Sequence, residues 1–454
     1  VISIAFAVAA IAVAVALWWF VPRLRAWPPS LGLLVAVFTV VPPHETIALG
    51  VGADDLLLVV GLALLLPSAF RNGWRLGSVP IGKWLLLGAA ILVAGMTVSA
   101  FVNAESFMGT LALLIRGPGR VLLYVLVVLA VIVQRPLVET RWVVSRALAG
   151  VGIFESVVSV WAYFIGFPGG FGLEETRGNT SLLGEIPGRV NGTLALSPNF
   201  LGALLVLSIP LTLGIALDAA RRSRRLGAVW ALAVVVQLLA LVLTYTRSSL
   251  AVAALACAVV LALRARLRWL IAGVVVVIGL VALTPAFQRI LHDQTDRMAL
   301  YSSAWTVFRD HPLAGVGPGE QATFTAADPE RYRATSHGVA GNNAHNTVLL
   351  AAAENGVLGL LGALLLNLAM AAIAIAVVWR ARADGEKRAE PLGIAVALVA
   401  FLLQGMANNL FTVTLTASAL VLLLAGGALP WLGEKPVVSG ISAEPERVAV
   451  RDTP

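Results

Sequence analysis

Residues 200–268 read FLGALLVLSIPLTLGIALDAARRSRRLGAVWALAVVVQLLALVLTYTRSSLAVAALACAVVLALRARLR. Three apolar blocks stand out, Phe200–Leu217, Val229–Thr244 and Ser248–Leu263, joined by two unlike connections. The first connection holds Arg221, Arg222, Arg224 and Arg225, and the third block runs into Arg264, Arg266 and Arg268. Between the second and third blocks lies only Thr244-Tyr245-Thr246-Arg247-Ser248-Ser249. A bilayer crossing takes roughly 17–25 apolar residues, so the blocks read as spans. Short arginine-rich loops stay on the cytoplasmic side, which puts Arg247 at the outer end of a tight hairpin. A lone arginine on the face that this rule depletes is a functional candidate, with snorkelling as its ordinary explanation.

The rest of the chain has the same character, with 59% of its 454 residues apolar and only 12% charged, about half the charge of an average soluble domain. Further spans are expected at Val1–Phe20, Trp84–Ala100, Trp142–Phe167, Leu270–Phe287, Thr347–Val378 and Pro391 to Leu429. Weaker apolar runs occur at Leu31–Val41, Leu56–Pro67 and Val121–Val133. Val1–Phe20 is too long for a signal-peptide apolar region and reads as a retained span. The last run carries Gln404, Asn408 and Asn409 in its middle and reads as two spans. The fold class is therefore an all-α polytopic membrane protein of 12 or 13 transmembrane helices with two large outer, periplasmic loops. Its parts are N-terminal spans (1–167), a first outer loop (168–199), central spans (200–287), a large loop (288–346), C-terminal spans (347–430) and a cytoplasmic tail (431–454). The net charge of +8 is accounted for by arginines beside spans, with no nucleic-acid partner required. The single cysteine, Cys257, leaves neither a disulfide framework nor a cysteine-ligated zinc site.

Four of the five histidines, His292, His311, His337 and His345, fall in or at the end of the large loop, and His44 lies in a short outer loop. Loops collect polar residues in any protein. His345 differs because Asn342-Asn343-Ala344-His345-Asn346 offers N-caps to the helix that follows. The positive end of that helix disfavours a protonated ring and its free N–H groups favour an anion, so a neutral base beside a phosphate is reasonable. On a continuous helix Leu349, Ala352, Gly356 and Gly359 fall within about 40° of His345 and Glu354 about 180° away. The small residues would form a groove for a helix or a lipid chain. At about 48 Å the helix must tilt, break near its glycines or project from the bilayer. Arg297 opens an amphipathic stretch that ends at Arg309-Asp310-His311-Pro312, before the flexible Gly315-Val316-Gly317-Pro318-Gly319. No Walker loop, dinucleotide fingerprint or Asp-x-Asp pair is present, which argues against a soluble nucleotide-activated donor.

These segments resemble the O-antigen ligase and O-antigen polymerase superfamily. The resemblance rests on His345-Asn346-Thr347 with Glu354-Asn355-Gly356-Val357-Leu358-Gly359-Leu360, on Asp310-His311-Pro312-Leu313-Ala314-Gly315-Val316-Gly317-Pro318-Gly319, and on Thr246-Arg247-Ser248. Arg189-Val190-Asn191-Gly192-Thr193 with Pro198-Asn199 is similar to the family's first outer loop. The resemblance spans roughly residues 185–365 and implies a bacterial inner-membrane glycosyltransferase with its site facing the periplasm. The implied donor is a glycan on undecaprenyl diphosphate, and the acceptor is a hydroxyl of lipid A-core or another glycan, with no cofactor and no metal. Carried over by position, His345 takes the acceptor proton while Arg247 and Arg297 hold the diphosphate. Arg189, Asn346 and His311 are further binding candidates. Inversion at the anomeric carbon is expected of a single displacement. A polymerase joining lipid-linked repeats, or a transferase acting on a protein hydroxyl, would use the same residues. A transporter or flippase lined by Gln404, Asn408 and Asn409 is the rival of another class.

Overall fold

The computed structural model describes residues 82–133, 137–167, 188–194, 197–264, 297–332, 343–383 and 388–410, with short pieces at 46–62, 173–185, 385 and 417–432. The expected spans Val1–Phe20, Leu31–Val41 and Leu270–Phe287, most of Leu56–Pro67, the tail from 433, and His44, His292 and His337 lie outside the described residues.

In chain order the helices are α1 (Gly82–Asn103), α2 (Phe107–Leu114), α3 (Arg120–Val133), α4 (Leu137–Phe164), α5 (Pro198–Arg222), α6 (Arg224–Leu243) and α7 (Arg247–Arg264). The large loop then supplies α8 (Arg297–Asp310), α9 (Gln321–Ala327) and α10 (Pro329–Tyr332), before α11 (Thr347–Ala383) and α12 (Glu390–Gly405). Among the described residues six helices are long and apolar enough to cross a membrane: Gly82–Asn103, Phe107–Leu129, Val144–Phe164, Pro198–Arg222, Arg224–Leu243 and Thr347–Ala383. Two shorter apolar helices, Arg247–Leu263 and Glu390–Gly405, accompany them.

Three details amend the sequence expectation. The run Val121–Val133 is not a short element: α2 and α3 join through a π-helical turn, Ile115–Gly119, that contains Pro118. The turn takes up the hydrogen bond that proline cannot make, so a helix that seems to stop at Arg116-Gly117-Pro118-Gly119 carries on. The first outer loop holds small antiparallel pairs, Leu173–Glu174 with Arg189–Val190 and Thr180–Ser181 with Gly184–Glu185, so the fold is nearly rather than wholly α. The third detail is α11, whose 37 residues are broken at Gly356, where φ is 63° and ψ −154°. Of the three accommodations open to so long a helix, a break is the one adopted.

α5 is the core of the bundle. Its middle, from Leu201 to Leu211, is buried on all sides, as an all-round apolar helix should be. Gly202 and Gly393 let neighbours approach: a Cβ on Gly202 would touch Ser249 of α7, and one on Gly393 would touch the Pro210 carbonyl. Five helices share one polarity of ends. α5, α6, α7, α11 and α12 each have an arginine-rich or loop-facing end marked by Arg221 and Arg222, Arg224 and Arg225, Arg264, Arg380 and Arg382, or Arg388. Asp218 of α5 fastens that end together by accepting the N–H groups of Ala389 (2.7 Å) and Glu390 (3.0 Å) at the start of α12. Buried Glu390 also meets Ser145 and Arg146 of α4. At the opposite end lie the residues singled out from sequence.

Candidate functional site

α6 and α7 form the expected hairpin, with Thr244-Tyr245-Thr246 as its turn and Arg247 as the first residue of α7. Tyr245 sits at φ 52°, and its hydroxyl meets that of Tyr163 on α4 at 2.8 Å. Arg189 braces the turn, donating from Nε to the Thr244 carbonyl (2.9 Å) and from Nη2 to Asn199 Oδ1 (3.1 Å) and Thr246 Oγ1 (3.3 Å). The strand that carries Arg189 is itself anchored. Glu155, buried within α4, accepts the Thr193 N–H at 2.9 Å and the Thr193 hydroxyl at 2.5 Å. Arg189 is thus built in as a positioning residue for the tip that presents Arg247.

The second segment is organised by the turn after α12. Gln404 Nε2 donates to Ser249 Oγ (2.8 Å) and Ser248 Oγ (3.4 Å), which ties this turn to the residues directly after Arg247. Four groups from the large loop and α11 then bind its carbonyls. Asn346 Nδ2 (3.1 Å) and Tyr301 Oη (2.7 Å) reach Met406, Arg297 Nη1 reaches Ala407, and Thr347 Oγ1 reaches Asn408 (3.1 Å). Gln404, Asn408 and Asn409 therefore stand at the end of α12, which stops at Gly405, where the apolar run was expected to divide into two spans. Turn polarity was legible in the sequence, but without a proline or a charge the break could not be placed.

His345 lies in the middle of this group and just outside α11, with φ 44°. It is not the first residue of a helical face, so the face drawn through Leu349, Ala352, Gly356 and Gly359 does not exist as expected. Asn346 is the N-cap, its Oδ1 accepting the N–H groups of Val348 and Leu349, both at 3.0 Å. Asn343 Oδ1 accepts the His345 N–H (3.2 Å). Burial, helped by the nearby charge of Arg297, lowers the His345 pKa below its ordinary value, so the ring is a neutral base at neutral pH.

The small residues of α11 are used for packing. A Cβ on Gly362 would touch Leu92 of α1, and one on Gly356 would run into the Leu313 carbonyl. The break at Gly356 frees helix carbonyls, and the glycine turn of the large loop fills them: Val316 N–H donates to Ala353 (3.1 Å), Gly317 N–H to Glu354 (3.0 Å), and Val357 N–H returns to Pro312 (2.8 Å). Gly315-Val316-Gly317-Pro318-Gly319 is a socket for a broken helix.

His311 is not brought into the group. It stands at the far end of α8 from Arg297, about 20 Å along a helix of this length, with its ring edge-on to Phe324 at 5.2 Å. Asp310 beside it accepts from Arg331 (3.0 Å) and Tyr332 (3.2 Å). The Asp-His-Pro segment thus folds the loop. Residues that sequence reasoning missed are Tyr301, Gln321 and Glu155, each a single polar residue with no local signal, and Tyr245, which stood in the quoted hairpin turn without a role.

Fold and site together define a multi-pass membrane protein in which, among the described residues, Arg297 and the His345-Asn346 segment fasten to the turn after α12, while Arg189 braces the tip where Arg247 opens α7. Residues 232–364 match the family model described as O-Antigen ligase. That segment contains Arg247, Arg297, His311, His345 and Asn346, so the motifs around them fall inside the family match, while Arg189-Val190-Asn191-Gly192-Thr193 and Pro198-Asn199 lie outside it. No curated protein matches the chain.

Proposed function

We propose that the chain is a membrane glycosyltransferase of the O-antigen ligase type. It moves a glycan from undecaprenyl diphosphate to a sugar hydroxyl of lipid A-core at the periplasmic face of the inner membrane. His345 removes the proton of the acceptor hydroxyl, the freed oxygen bonds to the anomeric carbon, and the bond from that carbon to the diphosphate oxygen breaks. The electron pair leaves on the diphosphate, where Arg297 and Arg247 offset the growing negative charge. Attack from the side opposite the leaving group inverts the anomeric centre.

One observation carries this reading: a half-buried neutral imidazole stands near a guanidinium, and the segments that carry them, through Asn346 and Arg297, fasten to one turn at the helix ends away from the arginine-rich loops. The positive-inside rule makes that end the outer one. A transport path would need its polar groups near mid-membrane, whereas Gln404 and Asn408 stand at the end of α12. The test supplies purified protein with a lipid-linked oligosaccharide, with and without lipid A-core. Release of undecaprenyl diphosphate only with core supports the ligase. A ladder of lengthening lipid-linked products without core means a polymerase, and glycan movement across vesicles without transfer means a transporter.

A further inference from the structure

His345 cannot be set in place by its own sequence neighbours alone. A left-handed φ is strained for a non-glycine residue and persists only where surroundings over-determine it. On its C-terminal side the Asn346 cap and the Met406 carbonyl supply that constraint. On its N-terminal side stands Ala344, fully buried, whose N–H donates at 2.8 Å to Oε1 of Gln321. Gln321 is the first residue of α9, 23 positions earlier in the chain, and only 1% of it is exposed. Its Nε2 has no hydrogen-bond partner among the described residues. A buried amide that leaves a donor unmatched is disfavoured, so the oxygen end is what this position serves.

Gln321 is in turn held from α11. The carboxyl group of Glu354 faces the backbone N–H groups of Gly319 and Gln321. The Glu354 carbonyl takes the Gly317 N–H at 3.0 Å and the Ser99 hydroxyl of α1 at 2.6 Å. Glu354 belongs to the turn of α11 that ends at the Gly356 break. The broken helix therefore reaches forward through the glycine turn and Gln321 to the backbone on the other side of His345.

We propose that Gln321 is a positioning residue for His345, acting through the Ala344 N–H, with Glu354 fixing where Gln321 stands. The contribution to turnover rests on the reading of His345 as the base; the backbone contribution does not. Gln321 touches no reacting atom. Losing its oxygen frees the Asn343–Ala344 peptide, which lets the backbone ahead of His345 rotate and carries the imidazole away from the acceptor, and a displacement of about 1 Å can cost about a hundredfold in rate.

The test compares Gln321→Met, which fills the volume without an acceptor, with Gln321→Glu, which returns an oxygen at the same reach. Hydrogen–deuterium exchange of the intact detergent-solubilised protein reads the Ala344 amide directly, and steady-state kinetics read the reaction. In Gln321→Met the Ala344 amide exchanges about tenfold faster or more, kcat falls about 10- to 100-fold, and KM for the lipid-linked donor stays within about twofold. Gln321→Glu restores both the slow exchange and most of kcat. Unchanged exchange in Gln321→Met overturns the proposal, and so does faster exchange with unchanged kcat in a protein whose His345→Gln variant is inactive. If His345→Gln stays active, the base assignment fails, while the exchange measurement still decides whether Gln321 holds this backbone.

Discussion

Arg297 stands close enough to His345 for its guanidinium charge to help hold the imidazole unprotonated. The two arrive from different directions, one at the start of α8 and the other just ahead of α11, and both segments fasten to the Met406-Ala407 turn.

The pH dependence follows from that pair. Burial and then Arg297 lower the His345 pKa from 6.5, so the base form persists below the pH at which a free histidine protonates. The acidic limb of kcat/KM is expected below pH 6.5, and in Arg297→Gln it should move up toward that value. The same substitution removes charge from the leaving-group side and is expected to lower kcat about 100- to 1000-fold. For stability the sign is the same: between the lowered pKa and 6.5 the unfolded chain binds the proton and the folded chain does not, so stability falls as pH drops through that window. A limb that Arg297→Gln leaves in place would separate the two residues.

Asn346 does two things that a pair of variants can divide. Asn346→Ala loses the cap and the bond to Met406, and is expected to cost about 1–2 kcal/mol in detergent thermal unfolding together with most of kcat. Asn346→Asp keeps an acceptor for Val348 and Leu349 but has no donor for Met406. It should retain the stability and still lose turnover.

Arg189→Ala is expected to loosen the α6–α7 tip, since the bonds to Thr244, Thr246 and Asn199 go with it. The predicted signature is a higher donor KM with a smaller change in kcat, because Arg247 keeps its charge and loses its placement. Equal loss in kcat and kcat/KM would instead mark Arg189 as a transition-state contact.

Gly356→Ala tests the socket. The position combines φ 63° with a Cβ that would meet the Leu313 carbonyl, and the expected loss is about 3 kcal/mol or more. Thermal unfolding in detergent reads it. A change under about 1 kcal/mol would mean that the 312–317 segment moves aside without cost.

The spans were legible because arginine clusters punctuate long apolar runs, and the hairpin tip at Arg247 followed from the same alternation. His345 was legible as a residue but not as a geometry. A helical face was drawn through it, whereas its left-handed backbone and the break at Gly356 depend on partners from α8, α9 and α12. The Gly315–Gly319 run was legible as a flexible turn, and only its bonds to Ala353 and Glu354 show that it packs against the broken α11, while His311 stands at the other end of α8 from Arg297. Gln321 and Tyr301 carry no local signal, since their partners lie 23 and 105 residues away. Gln404 and Asn408 did stand out, and only the position of the turn decides that they face a site end and not a path.

The most direct test of the account is release of undecaprenyl diphosphate from a lipid-linked oligosaccharide by the reconstituted protein and by His345→Ala, with lipid A-core present. The account predicts acceptor-dependent release by the parent protein, and a loss of turnover in His345→Ala with donor binding retained. Near-normal release by His345→Ala would contradict it.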